Sequence, residues 1–207
     1  MIENIKPMDI EKRSFEIITE LLGDTRLDPE NELVIKRVIH TTADFDYVHN
    51  LIFSDHAVQK GIEALKSGCD IVTDTQMARS GINKTILGRL GGHAHCFMSD
   101  ADVAAEAKER GVTRAIVSME HAARLERPCI FAIGNAPTAL ISLHEQIKAG
   151  LLTPALIIGV PVGFVNVVES KEMIIGSGVP HIVARGRKGG SNVAAAICNA
   201  MLYQIMR

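Results

Sequence analysis

Cys129-Ile130-Phe131-Ala132-Ile133-Gly134-Asn135-Ala136-Pro137-Thr138 decides the fold class of this chain. Cys129 to Ile133 is apolar at every position, as expected for a strand covered on both faces. Gly134-Asn135 breaks the run. Pro137 suits the first turn of a helix, where its missing N–H leaves no bond unmade. A helix to Lys148 follows, so the unit is strand–turn–helix. Two similar units come after it. Ala155 to Gly159 leads through Pro161-Val162-Gly163 into a helix ending near Ile174. His181 to Ala184 leads through a Gly-rich basic loop into a helix from about Asn192 to Ile205. Upstream, Leu51-Ile52-Phe53, Cys69 to Thr73 and Ala94 to Met98 read as strands. Ser54 to Lys66, Asp100 to Arg110 and Thr113 to Leu125 read as helices. Two more helices precede them all, Met8 to Leu22, stopped by Gly23, and one opened by Asp28-Pro29 and running to about Thr41. Such alternation implies a parallel sheet with right-handed crossovers. The expectation is a three-layer, doubly wound α/β sandwich of about five strands. It forms a single domain over residues 1–207, with the N-terminal helices extra to the sheet.

Composition narrows the function classes. A formal net charge of −2 gives no electrostatic reason to expect nucleic acid. Without Trp, and with 4% aromatic residues, the chain offers no base-stacking platform. Cys69, Cys96, Cys129 and Cys198 each sit in or beside an apolar run, with no C-x-x-C, which reads as buried free thiols in a reducing compartment. Met1 to Asp9 carries charges and no apolar stretch, so no signal peptide is expected, and no run approaches the length of a membrane span. The reading is a soluble, cytoplasmic protein.

Ligands of open α/β sheets bind beyond the carboxyl ends of the strands. Gly134 to Thr138, Gly159 to Phe164 and Arg185 to Ser191 lie there, and Arg185, Arg187 and Lys188 make the last loop basic. Free N–H groups at helix starts and nearby cations suit an anion, although a solvated turn has the same composition. Arg185 to Ser191 lacks the P-loop spacing, and Gly176-Ser177-Gly178 lacks the third glycine and the following helix of a dinucleotide fingerprint. His93 and His95 share a strand face, but no second His/Cys cluster accompanies them, so they read as core or supporting histidines and no metal is expected. Asp74 reads as an N-cap or as a group that orients a substrate. In Arg37-Val38-Ile39-His40-Thr41-Thr42, Arg37 and His40 are three residues apart and share a helical face. A permanent cation beside a titratable imidazole suits acid–base chemistry on an anion. Taken alone, the six residues read rather as a helix-end histidine that favours the dipole and caps carbonyls.

Five segments in order resemble the precorrin-8X methylmutase family of corrinoid biosynthesis, including its cobalt-precorrin-8 members. They are Arg37 to Thr41, Asp74 to Ile82, Ile133 to Leu140, Pro161 to Val165 with Glu169-Ser170-Lys171, and Arg185 to Ser191. The resemblance implies a flavodoxin-like fold, a homodimer, and an isomerase that moves a methyl group from C11 to C12 of a tetrapyrrole polycarboxylate, giving hydrogenobyrinate or cobyrinate. It implies that His40 is catalytic and that Ser14 and Arg37 bind the substrate. The migration is intramolecular, so neither redox cofactor nor external methyl donor is needed. Two other classes remain: a non-catalytic corrinoid carrier, and a flavodoxin-like nucleotide or flavin enzyme. The missing D-x-H-x-x-G pattern and nucleotide fingerprints argue against them.

Overall fold

The computed structural model describes Lys6 and residues 9–206. Two helices open the fold, α1 (Ile10–Leu22) and α2 (Glu32–Thr42). The expected first residue of α1, Met8, lies outside the described residues. α2 starts later than its Asp28-Pro29 signal predicts. The Asp28 carboxylate accepts the Glu30 N–H at 3.0 Å and closes a turn first. The short α3 (Tyr47–Asn50) leads into β1 (Leu51–Phe53), and α4 (Ala57–Lys66) into β2 (Asp70–Thr73). α5 (Gln76–Gly81) and α6 (Lys84–Arg89) come next. They were not expected from periodicity, being too short to show any. Their signals are caps: Thr75 Oγ1 accepts from Ala78 N at 3.1 Å and Asn83 Oδ1 from Ile86 N at 3.0 Å. β3 keeps only Ala94–His95 of the longer strand expected, because Phe97–Ser99 turns into a 3₁₀ helix. The remaining elements are α7 (Ala101–Arg110), α8 (Arg114–Ala122), β4 (Cys129–Ile133), α9 (Pro137–Lys148), β5 (Leu156–Gly159), α10 (Val167–Ile175), β6 (His181–Ala184) and α11 (Ser191–Ile205).

The sheet has six strands in the order β1-β6-β5-β4-β2-β3. From β2 onward every pairing is parallel, as expected. The five parallel strands match the expected count, and β1, also expected as a strand, joins them by pairing antiparallel with β6. Taken without β1, the parallel strands stand in flavodoxin order, with the switch point between β2 and β4. Strand side chains alternate between two cores. Ile71, Ile130, Ala132, Leu156, Ile158 and Ile182 face the layer of α2, α4 and α11. Val72, Phe131, Ile133, Ile157 and Val183 face the layer of α8, α9 and α10. α11 is the organising helix of the first layer: it packs on α2, α4 and α5, and its Ala195 and Ala196 let neighbours approach. A Cβ on Gly81 of α5 would stand 2.9 Å from the Ala195 Cβ, so that crossing requires glycine.

Candidate active site

The switch point is filled by the protein itself. Asp74, at the end of β2, is buried and accepts three backbone N–H bonds: Gly134 at 2.8 Å, Asn135 at 2.8 Å and Ala136 at 2.6 Å. Burial raises its carboxyl pKa, while the three N–H bonds pull the other way. The N–H groups of the Gly134-Asn135-Ala136 loop that leads into α9 are therefore taken. Asp74 does not cap its own helix, as the N-cap reading predicts; Thr75 caps α5 and also meets Ser191 Oγ at 2.7 Å. A Cβ at Gly134 would lie 2.6 Å from Ser191 Cα, so the two loops touch backbone to backbone.

The basic loop after β6 is also largely neutralised. Arg185 pairs with Glu172 at 2.8 Å, and Lys188 reaches Asp44 at 2.5 Å and Asp46 at 2.7 Å. Lys188 holds the Asp44 carboxyl below its usual range. Arg187 donates to the Phe164 carbonyl at 2.8 Å and lies over the Phe164 ring, with no carboxylate partner among the described residues. Beneath the loop, fully buried Lys171 donates from Nζ to the Gly186 and Lys188 carbonyls, each at 2.8 Å. Burial holds its pKa down at about 8 against the ordinary 10.5. Between those values the unfolded chain keeps a proton that the folded chain releases. The contribution of Lys171 to stability is thus present above 10.5 and lost as pH falls through about 8. Urea unfolding at about pH 7.5 and about pH 9.5 should show wild type gaining stability relative to Lys171→Met as pH rises. A difference that does not change with pH would contradict this.

The expected residues gather on the α2 side of α11. Arg37 is 8% exposed. Its guanidinium lies 5.0 Å from the Phe15 ring centroid and 5.1 Å from that of Tyr203, and Nη2 meets Glu11 Oε1 at 2.6 Å. His40, one turn on, is exposed and stands 5.7 Å from Phe15, ring to ring. Two clefts meet at His40. One, of about 340 Å³, is lined by Arg37, His40, Thr41, Gly81, Asn192, Asn199 and Tyr203. The other, of about 240 Å³, is lined by Ser14, Ile17, Ile39, His40, Ala43 and Phe45. Ser14, whose hydroxyl donates to Ile10 O at 2.9 Å, keeps lone pairs free to accept. His40 is not capping α2 through its side chain: Ala43 N takes Ile39 O at 2.7 Å, and the Thr41 and Thr42 hydroxyls take Arg37 O and Val38 O.

Sequence reasoning missed Asn192, Asn199 and Tyr203 as cleft residues, and Glu11 and Phe15 as partners of Arg37. A signal existed for three of them. Asn192, Asn199 and Tyr203 fall at near-helical spacing along an otherwise apolar α11, with Ala195 and Ala196 between. Asn199 also ties α5 in place, donating to Gly81 O and accepting from Asn83 N, each at 2.8 Å.

Other reactive groups have structural places. All four cysteines are free and buried, and burial pushes Cys69 and Cys198 up to about 12, which keeps them protonated and unreactive near neutral pH. Asp70, at the opposite end of β2 from Asp74, binds His95 Nε2 at 3.0 Å and the His93 N–H at 2.8 Å. His95 thus has the supporting place expected of the pair, whereas His93 contributes its backbone N–H and its side chain is exposed. Among the described residues no group of three or more His, Cys, Asp or Glu is placed to hold a metal ion.

The fold is a small α/β sandwich whose switch point is occupied by Asp74 and whose two clefts meet at His40 beside α11. The comparisons with known proteins specify it further. The family model described as precorrin-8X methylmutase matches residues 9–204. The cobalt-precorrin-8 methylmutase of Salmonella typhimurium is 47% identical over 206 residues, covering 97% of this chain and 96% of its own. The precorrin-8X methylmutase of Pseudomonas aeruginosa is 40% identical over 93% of each chain. The crystal structure of a precorrin-8x methyl mutase from Thermus thermophilus superposes with a TM-score of 0.87 at 36% identity, over 96% of this chain and 98% of that one. The chain belongs to the precorrin-8X methylmutase family, isomerases of corrinoid biosynthesis.

Proposed function

We propose that this protein moves a methyl group from C11 to C12 of precorrin-8, with His40 as the acid–base group and Arg37 and Ser14 as substrate contacts. The observation that carries the reading is the exposed imidazole of His40 at the junction of two clefts, one bordered by Arg37 and the other by Ser14. The reaction breaks one C–CH₃ bond and forms another on the same ring, so mass and redox state do not change. Protonating the conjugated system makes the shift easier, and the same proton must then be removed or redistributed. An imidazole can do both near neutral pH. Arg37 holds a carboxylate of the macrocycle and Ser14 adds one hydrogen bond, so the ring is presented in one orientation.

Relatives named for the cobalt substrate, at 47% and 46% identity, support cobalt-precorrin-8 as the form used. Incubating the protein with cobalt-precorrin-8 and with metal-free precorrin-8X tests the whole reading. Isomerisation alters the absorbance spectrum and leaves the mass unchanged. Binding without a new product spectrum in either case would leave a carrier instead.

We further propose a homodimer in the cytoplasm, with no nucleic-acid partner. Ile10 and Leu21 of α1 remain exposed, as do Phe164 and Val165 beyond β5, and a symmetric copy would bury such surface. Among the described residues no helix is long and apolar enough to cross a membrane. Light scattering at micromolar concentration should give twice the 22.4 kDa chain mass, and a monomer alone would count against assembly.

A further inference from the structure

Arg37 carries a half-made fork. The Nε–H and one N–H of Nη2 lie on the same edge of a guanidinium, an edge that a carboxylate can meet with two parallel bonds. Here Nη2 donates to Glu11 Oε1 at 2.6 Å, while Nε is buried with no hydrogen-bond partner among the described residues. A buried donor left unpaired retains the cost of its lost hydration. Arg37 cannot readily turn this edge to water, because Phe15 and Tyr203 hold its guanidinium at 5.0 and 5.1 Å. Glu11 is differently placed: its side chain is 49% exposed, on the same α1 helix as Ser14 and three residues before it. Its carboxylate is on the exposed side of the pair and can move off Arg37, whereas the Arg37 guanidinium is enclosed between two rings.

We infer that Glu11 is an internal stand-in for a substrate carboxylate, screening Arg37 in the empty cleft and displaced when a macrocycle carboxylate takes both bonds of the Nε–Nη2 edge. The inference rests on the reading of Arg37 as a substrate contact. The incoming group must be an ionised carboxylate, since a neutral amide or ester competes poorly with Glu11 for a guanidinium. Glu11 therefore lowers affinity and favours free acids at that position. Because Glu11 and Ser14 share α1, occupancy of Arg37 is coupled to the wall of the second cleft.

The experiment measures the Kd of cobyrinic acid, the proposed product, by absorbance titration of the full-length protein. Wild type is compared with Glu11→Gln, Glu11→Asp, Arg37→Ala and the Glu11→Gln, Arg37→Ala double variant. Glu11→Gln should bind about 3- to 10-fold more tightly than wild type, in the lower part of the range of coupling between neighbouring groups. Arg37→Ala should weaken binding, and in its background Glu11→Gln should change Kd less than about two-fold. Glu11→Asp, which keeps the charge but withdraws it by one methylene, should fall between wild type and Glu11→Gln. A residue that merely tethers α1 would act oppositely, with Glu11→Gln loosening binding and lowering the melting temperature. Unchanged or weaker binding by Glu11→Gln, with Arg37→Ala also weakened, overturns the stand-in and leaves Arg37 in the site. Tightening that persists without Arg37 overturns it as well. Equal Kd for wild type and Arg37→Ala removes Arg37 from the site and the stand-in with it.

Discussion

His40→Ala should fold, bind the macrocycle, and lose about 10²- to 10⁴-fold in isomerisation rate, the usual range for a lost general acid–base group. The imidazole is exposed, and its only ring contact among the described residues is with Phe15 at 5.7 Å. Removing it therefore leaves no buried partner unpaired, and stability should hardly change. Affinity should change little too, since a polycarboxylate has other contacts. His40→Asn should match His40→Ala, because an amide forms hydrogen bonds but cannot shuttle a proton near pH 7. Melting temperature, Kd and single-turnover rate on the same variants separate this from a helix-end role. A His40→Ala protein that turns over like wild type, or that only melts earlier, would end the catalytic assignment.

Asp74→Ala should be the most damaging single change to the fold. It would leave the Gly134, Asn135 and Ala136 N–H groups facing a cavity that water reaches poorly, since Asp74 is 1% exposed. Unpaired buried donors cost roughly 1–3 kcal/mol each, and removing the buried carboxylate relieves part of that sum, so a net loss of roughly 3–5 kcal/mol is expected. For a chain of this size that lowers the melting temperature by on the order of 10 °C. Asp74→Asn should recover part of it, because the amide oxygen still accepts while its NH₂ faces other donors. If Asp74 instead orients the substrate, the variant would melt like wild type and lose turnover. Differential scanning calorimetry beside an activity assay decides between them.

The two variants mark where the sequence was readable. His40 and Arg37 lie on one regular helix, so spacing alone put them on a common face, and the structure places both on one cleft. Ser14, on a different helix, came only from family resemblance, and the packing of α1 on α2 brings it to the cleft shared with His40. The role of Asp74 was not readable. Its partners are 60 to 62 positions away, and backbone N–H groups have no sequence signature. The same reason hid the engaged state of the basic loop, where Lys188 meets Asp44 and Asp46 across 144 and 142 positions.

What the sequence determined by itself was local: apolar runs buried on both faces made strands, periodic runs made helices, and their alternation made the sheet parallel from β2 onward. The tertiary structure decided what depends on distant groups meeting. It turned β1 antiparallel at the edge, closed the switch point with Asp74, and sandwiched Arg37 between Phe15 and Tyr203. The division has one physical cause. Hydrophobic periodicity is written residue by residue along the chain, whereas the partner of a buried charge or N–H is chosen only after the layers have packed.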